Sequence, residues 1–388
     1  MDSLNGWVSG DSGLIFHTSD GGSNWSTQYS NDSLNIVNLF FLNTLRGWAS
    51  AWSNDFEPYG TFILETTNGG LNWIKTRFRV GEKFANTFYF LDTLKGFAAG
   101  YPNLFMRTTD GGANWVDVIR DSSVLAGFPP YTIKFFNDQY GYACGGVRDI
   151  AGVVWRTTDG GISWNTVVDS LTSEPVYDLQ IFDSLHVLAM GGDPEYGASK
   201  VVTFNGGNIW EYNLLGILWY PVDIDFRTST EGWAPLGAQR KFLYSNDEGQ
   251  TWSEMPTPDS VNVIKISFPD TIHGFGIGEN GEMVKYVYQK PSSTIPEKIK
   301  ISSFYLEQNY PNPFNPSTTI SWQTSKPEWQ SLKIYNVLGE EMSTLVNEYR
   351  PAGHYSVKFR SENLTSGVYF YKLQSGEHIQ VRKMILLR

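Results

Sequence analysis

Short runs of apolar residues, separated by turn-forming residues, extend along most of the chain. In residues 35–78 the runs are NIVNLFFL, GWASA, TFILETT and LNWIKTRF, with Asn, Thr and Gly at the joints between them. Runs of about four to eight apolar or alternating residues are typical of β-strands, and Gly and Asn favour tight turns. We therefore predict an antiparallel unit of four short strands, in which NIVNLFFL is the innermost.

This unit is repeated along the chain. The turn before its last strand carries Ser or Thr, then Asp or Asn, then glycine, and closes on tryptophan. Six such boxes occur, and their tryptophans are 48, 42, 49, 46 and 42 residues apart: TSDGGSNW (18–25), TTNGGLNW (66–73), TTDGGANW (108–115), TTDGGISW (157–164), TFNGGNIW (203–210) and SNDEGQTW (245–252). Four strands in a repeat of this length are the signature of a β-propeller blade.

A second repeated element marks the second strand of each unit. It occurs seven times, beginning at Gly6, Gly47, Gly96, Gly141, Val187, Gly232 and Gly274. We therefore predict an all-β fold with a seven-bladed β-propeller over residues 1–288. The start, MDSLNGWVSG, contains neither an innermost strand nor a signal peptide, so we expect that an amino-terminal segment is missing from this chain.

The boxes are predicted to be structural. The Asp or Asn side chain can accept hydrogen bonds from nearby backbone N–H groups, glycine supplies positive φ, and tryptophan fills the apolar layer. One acid per turn does not make a calcium loop. The residues assigned this structural role are Asp20, Trp25, Asn68, Trp73, Asp110, Trp115, Asp159, Trp164, Asn205, Trp210, Asp247 and Trp252.

The repeat ends near residue 288. Residues 289–300, QKPSSTIPEKIK, are rich in Pro, Ser and Lys and are interpreted as a linker. About seven short alternating runs follow in residues 301–388, which predicts a small Ig-like β-sandwich.

Composition excludes several classes of protein. Hydrophobic residues make up 41% of the chain, too many for a disordered protein. The net charge of −11 comes without any cluster of Lys or Arg, so no nucleic-acid partner is predicted. No apolar stretch is long enough for a membrane span. The single cysteine, Cys144, and five isolated histidines predict neither a metal site nor a cofactor.

The boxes resemble the Asp-box repeats of sialidase-like propellers. Together with the GW-type element, the pattern is most similar to the photosystem II assembly factor family of Ycf48-like propellers, over roughly residues 1–288. In such families the boxes lie on the face opposite the ligand site, so the resemblance places any site on the other face.

The carboxy-terminal module resembles a type A sorting domain, by which Bacteroidota-type bacteria export proteins through the type IX secretion system. The similarity rests on LEQNYPNPFNPSTTI (306–320), IYNVLGEE (334–341), LTSGVYFY (364–371) and VRKMILLR (381–388). It implies a secreted or outer-membrane surface-attached protein whose partner is the type IX secretion machinery. The residues that fall on the family motifs are Asn309, Pro311, Pro313, Phe314, Pro316, Gly367, Val368, Tyr369 and Lys383.

Candidate ligand-binding residues lie in the turns and connections opposite the boxes. Arginine, aromatic and acidic side chains on one face suit an anionic or carbohydrate ligand. The candidates are Trp52, Glu57, Arg77, Arg79, Arg120, Arg148, Tyr196, Trp219 and Arg240. No catalytic residue is assigned.

Two functions remain open. The first is a non-enzymatic binding or adhesion scaffold that recognises a glycan or a surface protein through this face. The second is a secreted glycoside hydrolase of the sialidase or xyloglucanase type, which needs two carboxylates at a defined separation. The available acids on this face are Asp55, Glu57, Asp149, Asp193 and Glu195.

Overall fold

The computed structural model describes residues 4–31, 33–53, 60–78, 83–169, 171–287, 304–324, 326–350, 353–361, 364–376 and 378–387. The chain folds into two compact units, residues 1–288 and residues 289–388. Within the described ranges both units are built from β-strands, and the helical segments are three short 3₁₀ turns, Val124–Gly127, Gly237–Gln239 and Pro258–Ser260. The predicted all-β class is confirmed.

The described strands of the first unit form seven sheets, which we number in chain order. The first contains β1 (Gly6–Ser9), β2 (Ile15–Thr18) and β3 (Ser26–Tyr29). The second contains β4 (Leu34–Phe41), β5 (Gly47–Ser53), β6 (Thr61–Thr66) and β7 (Ile74–Arg77). The third contains β8 (Phe84–Phe90), β9 (Gly96–Tyr101), β10 (Leu104–Thr108) and β11 (Val116–Asp117).

The fourth sheet contains β12 (Ile119–Arg120), β13 (Pro130–Phe135), β14 (Gly141–Val147), β15 (Ala151–Thr157) and β16 (Ser163–Val168). The fifth contains β17 (Val176–Ile181), β18 (Val187–Asp193), β19 (Gly197–Thr203) and β20 (Glu211–Leu214). The sixth contains β21 (Asp225–Phe226), β22 (Gly232–Pro235), β23 (Lys241–Ser245) and β24 (Ser253–Pro256). The seventh contains β25 (Val263–Ser267), β26 (His273–Gly278) and β27 (Met283–Val287). The number of blades in the complete propeller stays a prediction.

Neighbouring strands within a sheet are antiparallel, as the repeat predicts, with one exception. After β11 the chain leaves the third sheet, and β12 pairs in parallel with the outer edge of β16 in the fourth. The sheets are arranged in a ring, because the Lys285 ammonium of the seventh sheet donates to the Gly21 carbonyl of the first at 2.6 Å. The side chains between adjacent sheets form the core, and Trp48, Trp155 and Trp164 are at most 1% exposed.

The glycine of the GW-type element has a steric cause. The ring of Phe135, at the end of β13, lies against Gly141, where an added Cβ would be 2.7 Å from the ring. The equivalent phenylalanines crowd Gly47, Gly96, Gly232 and Gly274 in the same way. In the fifth sheet both partners differ, since Ile181 pairs with Val187. Where isoleucine replaces the phenylalanine on the innermost strand, valine can replace the glycine on the second strand.

The second unit is a sandwich of seven strands in two sheets. One sheet pairs β28 (Tyr305–Leu306), β29 (Ser317–Thr324) and β32 (Gly353–Arg360), and the other has the order β31 (Glu341–Arg350), β30 (Glu328–Tyr335), β33 (Gly367–Ser375) and β34 (His378–Leu386). Leu306, Trp322, Leu332, Tyr371 and Met384 fill the core between the sheets. The predicted Ig-like sandwich is confirmed.

Candidate binding face of the propeller

The boxes close the turn between the third and fourth strands of a sheet by side-chain hydrogen bonds. In the first box the Gly22 N–H donates to Thr18 Oγ1 at 2.9 Å, and the Asn24 N–H donates to Asp20 Oδ1 at 2.8 Å. The second box makes the same bonds with asparagine, since the Asn72 N–H donates to Asn68 Oδ1 at 3.0 Å. These side chains are engaged within their own turns.

The same hydrogen bonds make the propeller sensitive to acid. Bonds from Asn24 and Thr18 lower the pKa of Asp20 to about 2, and bonds from Asn114 and Thr108 lower the pKa of Asp110 to about 2. An unfolded aspartate has a pKa of about 3.9. The stability that these two carboxylates contribute is therefore fully present above about pH 4 and is lost as the pH falls toward 2. We expect urea unfolding at pH 5, 4 and 3 to show this decline.

The control for this prediction is the double variant Asp20→Asn/Asp110→Asn. Asn68 and Asn205 already fill the equivalent position in two other boxes, so the double variant should fold. Its stability should decline less between pH 5 and 3 than that of the natural chain. An equal decline in the two proteins would show that the boxes do not cause it.

The opposite end of the ring, which we call the loop face, carries the turns between second and third strands and the connections between sheets. Five innermost strands bulge by one residue next to this face, at Val37, Asn86, Tyr131, Tyr177 and Ile264. A bulge turns the side chain of the extra residue away from its ladder position. The bulges thus re-aim two tyrosines at the loop-face end of the innermost strands.

Four aromatic rings stack in a row across the fourth to sixth sheets, and we call this row the aromatic ladder. Tyr131 stacks on Tyr177 with 5.5 Å between ring centroids, Tyr177 on Tyr220 at 5.2 Å, and Tyr220 on Trp219 at 5.5 Å. All four side chains are half-buried. Burial and the neighbouring Tyr220 and Tyr131 raise the pKa of Tyr177, while the positive charge of Arg148 lowers it. The positive charge of Arg148 therefore acts on the middle ring of the ladder.

Beneath the ladder, charged side chains of successive innermost strands join the sheets. The Lys134 ammonium lies 3.1 Å from Asp178 Oδ1, and Asp178 Oδ2 accepts from the Ile224 N–H at 3.1 Å. Lys265 is 2.9 Å from Asp223 Oδ1. The Lys265 side chain is 58% exposed, so water reaches this centre of the ring.

The pKa values in this charged group depend on burial and on the neighbouring opposite charges. Burial lowers the pKa of Lys134, but the carboxylates of Asp178, Asp225 and Asp223 outweigh it and raise the pKa above the ordinary value. Burial raises the pKa of Asp225 to about 6. Lys134 is therefore protonated, and carboxylates of the propeller itself neutralise its positive charge.

Four of the predicted site residues lie in the ladder or in the loop-face turns of the fourth to sixth sheets. Trp219 is part of it, and the exposed Arg148 is near Tyr177. Tyr196 is 53% exposed in the turn between β18 and β19. Arg240 is exposed in the turn between β22 and β23. In the same turn, a Cβ added to Gly237 would lie 4.0 Å from Trp219 Nε1.

Two other predicted site residues, Trp52 and Arg77, lie at the loop-face ends of β5 and β7, whereas Arg120 lies at the outer edge of the fourth sheet and not on the loop face as predicted. The Trp52 indole donates to the Ala85 carbonyl at 2.9 Å. Arg120 is placed beside the box residue Trp164 because β12 pairs with the start of β16, and its guanidinium donates to the Ala126 carbonyl at 3.0 Å. Arg77 is exposed at the end of β7. Glu57 and Arg79, and the candidate acid Asp55, lie outside the described residues.

Reasoning from sequence placed Tyr220 in a loop opposite the boxes, next to Trp219, but it missed Tyr131 and Tyr177. The available signal was a tyrosine at the start of two successive innermost strands, in PYTIKF and VYDLQI. Its meaning depends on the bulges, which sequence alternation does not reveal.

Two of the groups considered for catalysis, Asp193 and Cys144, are buried. Asp193 is 1% exposed, and its Oδ1 accepts from the N–H groups of Glu195 and Tyr196 in its own turn. Cys144 is fully buried, which raises the pKa of its thiol well above the usual range. Within the described ranges no three His, Cys, Asp or Glu side chains are grouped to hold a metal ion, and no helix is long and apolar enough to cross a membrane.

Several known proteins are similar to this chain. The photosystem II assembly lipoprotein Ycf48 of Synechococcus sp. (strain CC9902) is 26% identical over 270 residues, covering 58% of this chain and 79% of that protein. A structure of YCF48 bound to D1 peptide has a TM-score of 0.58 at 20% identity, over 74% of this chain and 91% of that one. The GH74 xyloglucanase from Xanthomonas campestris has a TM-score of 0.57 at 11% identity, over 89% of this chain and 60% of that one.

The two structural likenesses show the fold alone, and they confirm the β-propeller. Two families match the chain directly. Residues 59–196 and 210–287 match the photosynthesis system II assembly factor YCF48, and residues 308–387 match the secretion system C-terminal sorting domain. Both resemblances seen in the sequence are confirmed, and a sorting domain of this kind implies a secreted or cell-surface protein. The chain therefore belongs to the YCF48 family of photosystem II assembly factors over more than half of its length, and it ends in a secretion system C-terminal sorting domain.

Proposed function

We propose that this protein is a non-enzymatic binding scaffold of the cell surface or the secreted fraction, and that its propeller holds a segment of another protein on the loop face. The observation that carries the proposal is the aromatic ladder with Arg148 beside it. Half-buried aromatic rings and a positive charge at the end of a ring-shaped fold provide both contact area and a polar anchor.

Strained backbone on the same face supports this proposal. Among the described residues other than glycine, seven have positive φ, and six of them lie in loop-face turns: Ser12, Asp149, Trp219, Arg240, Asp259 and Ser260. Trp219 has φ +76°, which is costly for a bulky side chain. Strained residues of this kind are concentrated at functional sites of proteins. Here the strained residue is Trp219, whose indole is the last ring of the ladder.

The class of ligand is proposed from a relative. The structure of YCF48 bound to D1 peptide describes a propeller of this family with a polypeptide ligand. We extend that mode of binding to this chain, with an extended protein segment as the ligand. A glycan is the alternative ligand for the same face, since sugars also pack on aromatic side chains.

The proposal predicts which variants lose binding. Full-length protein would be applied to arrays of extended peptides and of glycans, with bound protein and released product both measured. We expect retention on peptides without product release, and at least a tenfold weaker affinity for Trp219→Gly and Arg148→Ala. Trp219→Gly removes the ring, which loses packing against the core, and it also relieves the positive φ, which offsets part of that loss; a thermal melt verifies that the variant is folded.

The matched control is Tyr140→Ala, which removes a 43% exposed ring from the turn between β13 and β14, at the end of the propeller that carries the boxes. It should bind like the natural chain. Retention only on glycans would replace the protein ligand by a carbohydrate. Release of sugar products would contradict the scaffold and support the glycoside hydrolase. Unchanged binding by both loop-face variants would show that the ladder is not the binding site.

A further inference from the structure

The outer face of the larger sheet in the second unit carries three lysines on a largely apolar surface. Leu332 and Tyr371 alternate into the core, so their neighbours along β30 and β33 point outward. Lys333 and Lys372 lie directly opposite each other on these strands, and Lys383 of β34 lies opposite Phe370. We call this surface the lysine face. Its members are Lys333, Tyr335, Phe370, Lys372, Val381 and Lys383.

This arrangement is electrostatically unfavourable in the isolated unit. Like charges directly opposite each other on a sheet destabilise it. Glu341 neutralises Lys333, with 2.9 Å between ammonium and carboxylate. For Lys372 and Lys383, the part of the chain that the structure describes provides no hydrogen-bond or ion-pair partner for either ammonium. The face therefore carries unneutralised positive charge.

The apolar surface around the lysines is also exposed. Val381 is 53% exposed, Ile379 51% and Val368 37%. The outward positions of the other sheet are polar by contrast, with Thr319 opposite Lys358 and Ser321 opposite Ser356. Residues 301–388 contain nine Lys and Arg against seven acids, although the chain as a whole is acidic. The positive, apolar character is thus local to this module and to this face.

We propose that the lysine face docks on a protein surface that combines carboxylates with apolar side chains, and that this surface belongs to the secretion machinery that receives the sorting domain. A flat sheet face buries apolar area against another protein surface, while partner carboxylates neutralise Lys372 and Lys383. A small anion would need a concave nest, which a flat, ridged sheet does not provide. The assignment goes beyond the proposed ligand site, because it involves the other unit.

The experiment reverses charge on each face of the sandwich. The protein, preceded by a leader that directs it across the inner membrane, would be expressed in a bacterium that has the type IX system, as the natural chain, Lys372→Glu/Lys383→Glu and Lys358→Glu. We expect the double variant to reach the surface or medium at least tenfold less, whereas Lys358→Glu, on the opposite sheet, is exported normally. Hydrogen exchange over residues 304–387 verifies that each variant is folded. If the double variant unfolds, Lys372→Gln/Lys383→Gln replaces it.

A photo-reactive phenylalanine analogue at position 370 identifies what covers the face during export. A protease-sensitive adduct that disappears in the double variant supports the protein partner. A protease-resistant, lipid-containing adduct would overturn it in favour of a membrane surface. Normal export of a folded double variant would also overturn the proposal. Neither result depends on ligand binding by the propeller, so failure of the proposed function is recognised separately.

Discussion

Replacing Phe314 by alanine is expected to remove about 3–5 kcal/mol from the stability of the second unit, the typical cost of deleting a buried phenylalanine. The ring is 2% exposed and packs 6.1 Å from Phe359, between centroids. Its backbone also joins the segment between β28 and β29 to the final strand, because the Phe314 N–H donates to the Ile385 carbonyl at 2.9 Å and the Leu387 N–H donates to the Phe314 carbonyl at 3.0 Å. Faster hydrogen exchange over residues 304–387 would measure the loss.

A loss of this size is a large share of the stability of a small domain. We therefore also expect Phe314→Ala to be exported poorly. Tyr310→Ala is the matched control, because this ring is 77% exposed in the same segment while its backbone pairs with Thr319. Tyr310→Ala should keep both protection and export. Equal protection of residues 304–387 in the Phe314 variant would contradict the structural role assigned to this ring.

The second large effect is expected for Asp178→Ala, at the centre of the propeller. This carboxylate is 7% exposed, holds the Lys134 ammonium and accepts from the backbone of the next sheet. Its removal leaves the Lys134 ammonium without its ion-pair partner and a buried N–H without an acceptor, which costs about 3–5 kcal/mol in buried sites. Because Lys134 is one-third exposed, we expect the lower end, about 3 kcal/mol. Urea unfolding followed by tryptophan fluorescence would measure it.

Two further variants separate the charge from the hydrogen bonds. Asp178→Asn keeps an acceptor for the Ile224 N–H and should cost less than Asp178→Ala. Asp169→Ala removes an exposed carboxylate at the end of β16 and should change the stability by less than about 0.5 kcal/mol. A cost for Asp178→Ala as small as that for Asp169→Ala would mean that the charged group does not join the sheets.

The propeller was predictable because its local chemistry is repeated. Each box carries within eight residues the hydroxyl, the carboxylate or amide, and the glycine that close its own turn, and the bonds of Thr18 and Asp20 in the first box recur at Thr108 and Asp110. The GW-type glycine was found as a pattern. Its cause, the phenylalanine ring 2.7 Å from a Cβ at position 141, became evident only in the folded sheet.

The sorting domain was predictable from motifs, and its bonding was not. Asn309 is 1% exposed, and its Nδ2 donates to Thr318 Oγ1 at 2.9 Å, while its N–H donates to the Tyr371 hydroxyl at 2.7 Å. The last of these joins residues from opposite ends of the module. Sequence shows that both are present but contains no sign that they meet.

The sequence by itself determined the all-β class, the repeat and its turn chemistry, and the two families, because each of these depends on residues close together in the chain. Only the tertiary structure decided the aromatic ladder, the charged group beneath it and the lysine face. Tyr131, Tyr177 and Tyr220 are more than forty residues apart in the chain. Tyr131 and Tyr177 meet because bulged innermost strands converge at the centre of the ring, and Tyr220 joins them from the connection between the fifth and sixth sheets. Strand pairing likewise sets Lys333 against Lys372. Long-range register and ring closure create such neighbours, and local sequence patterns carry no information about either.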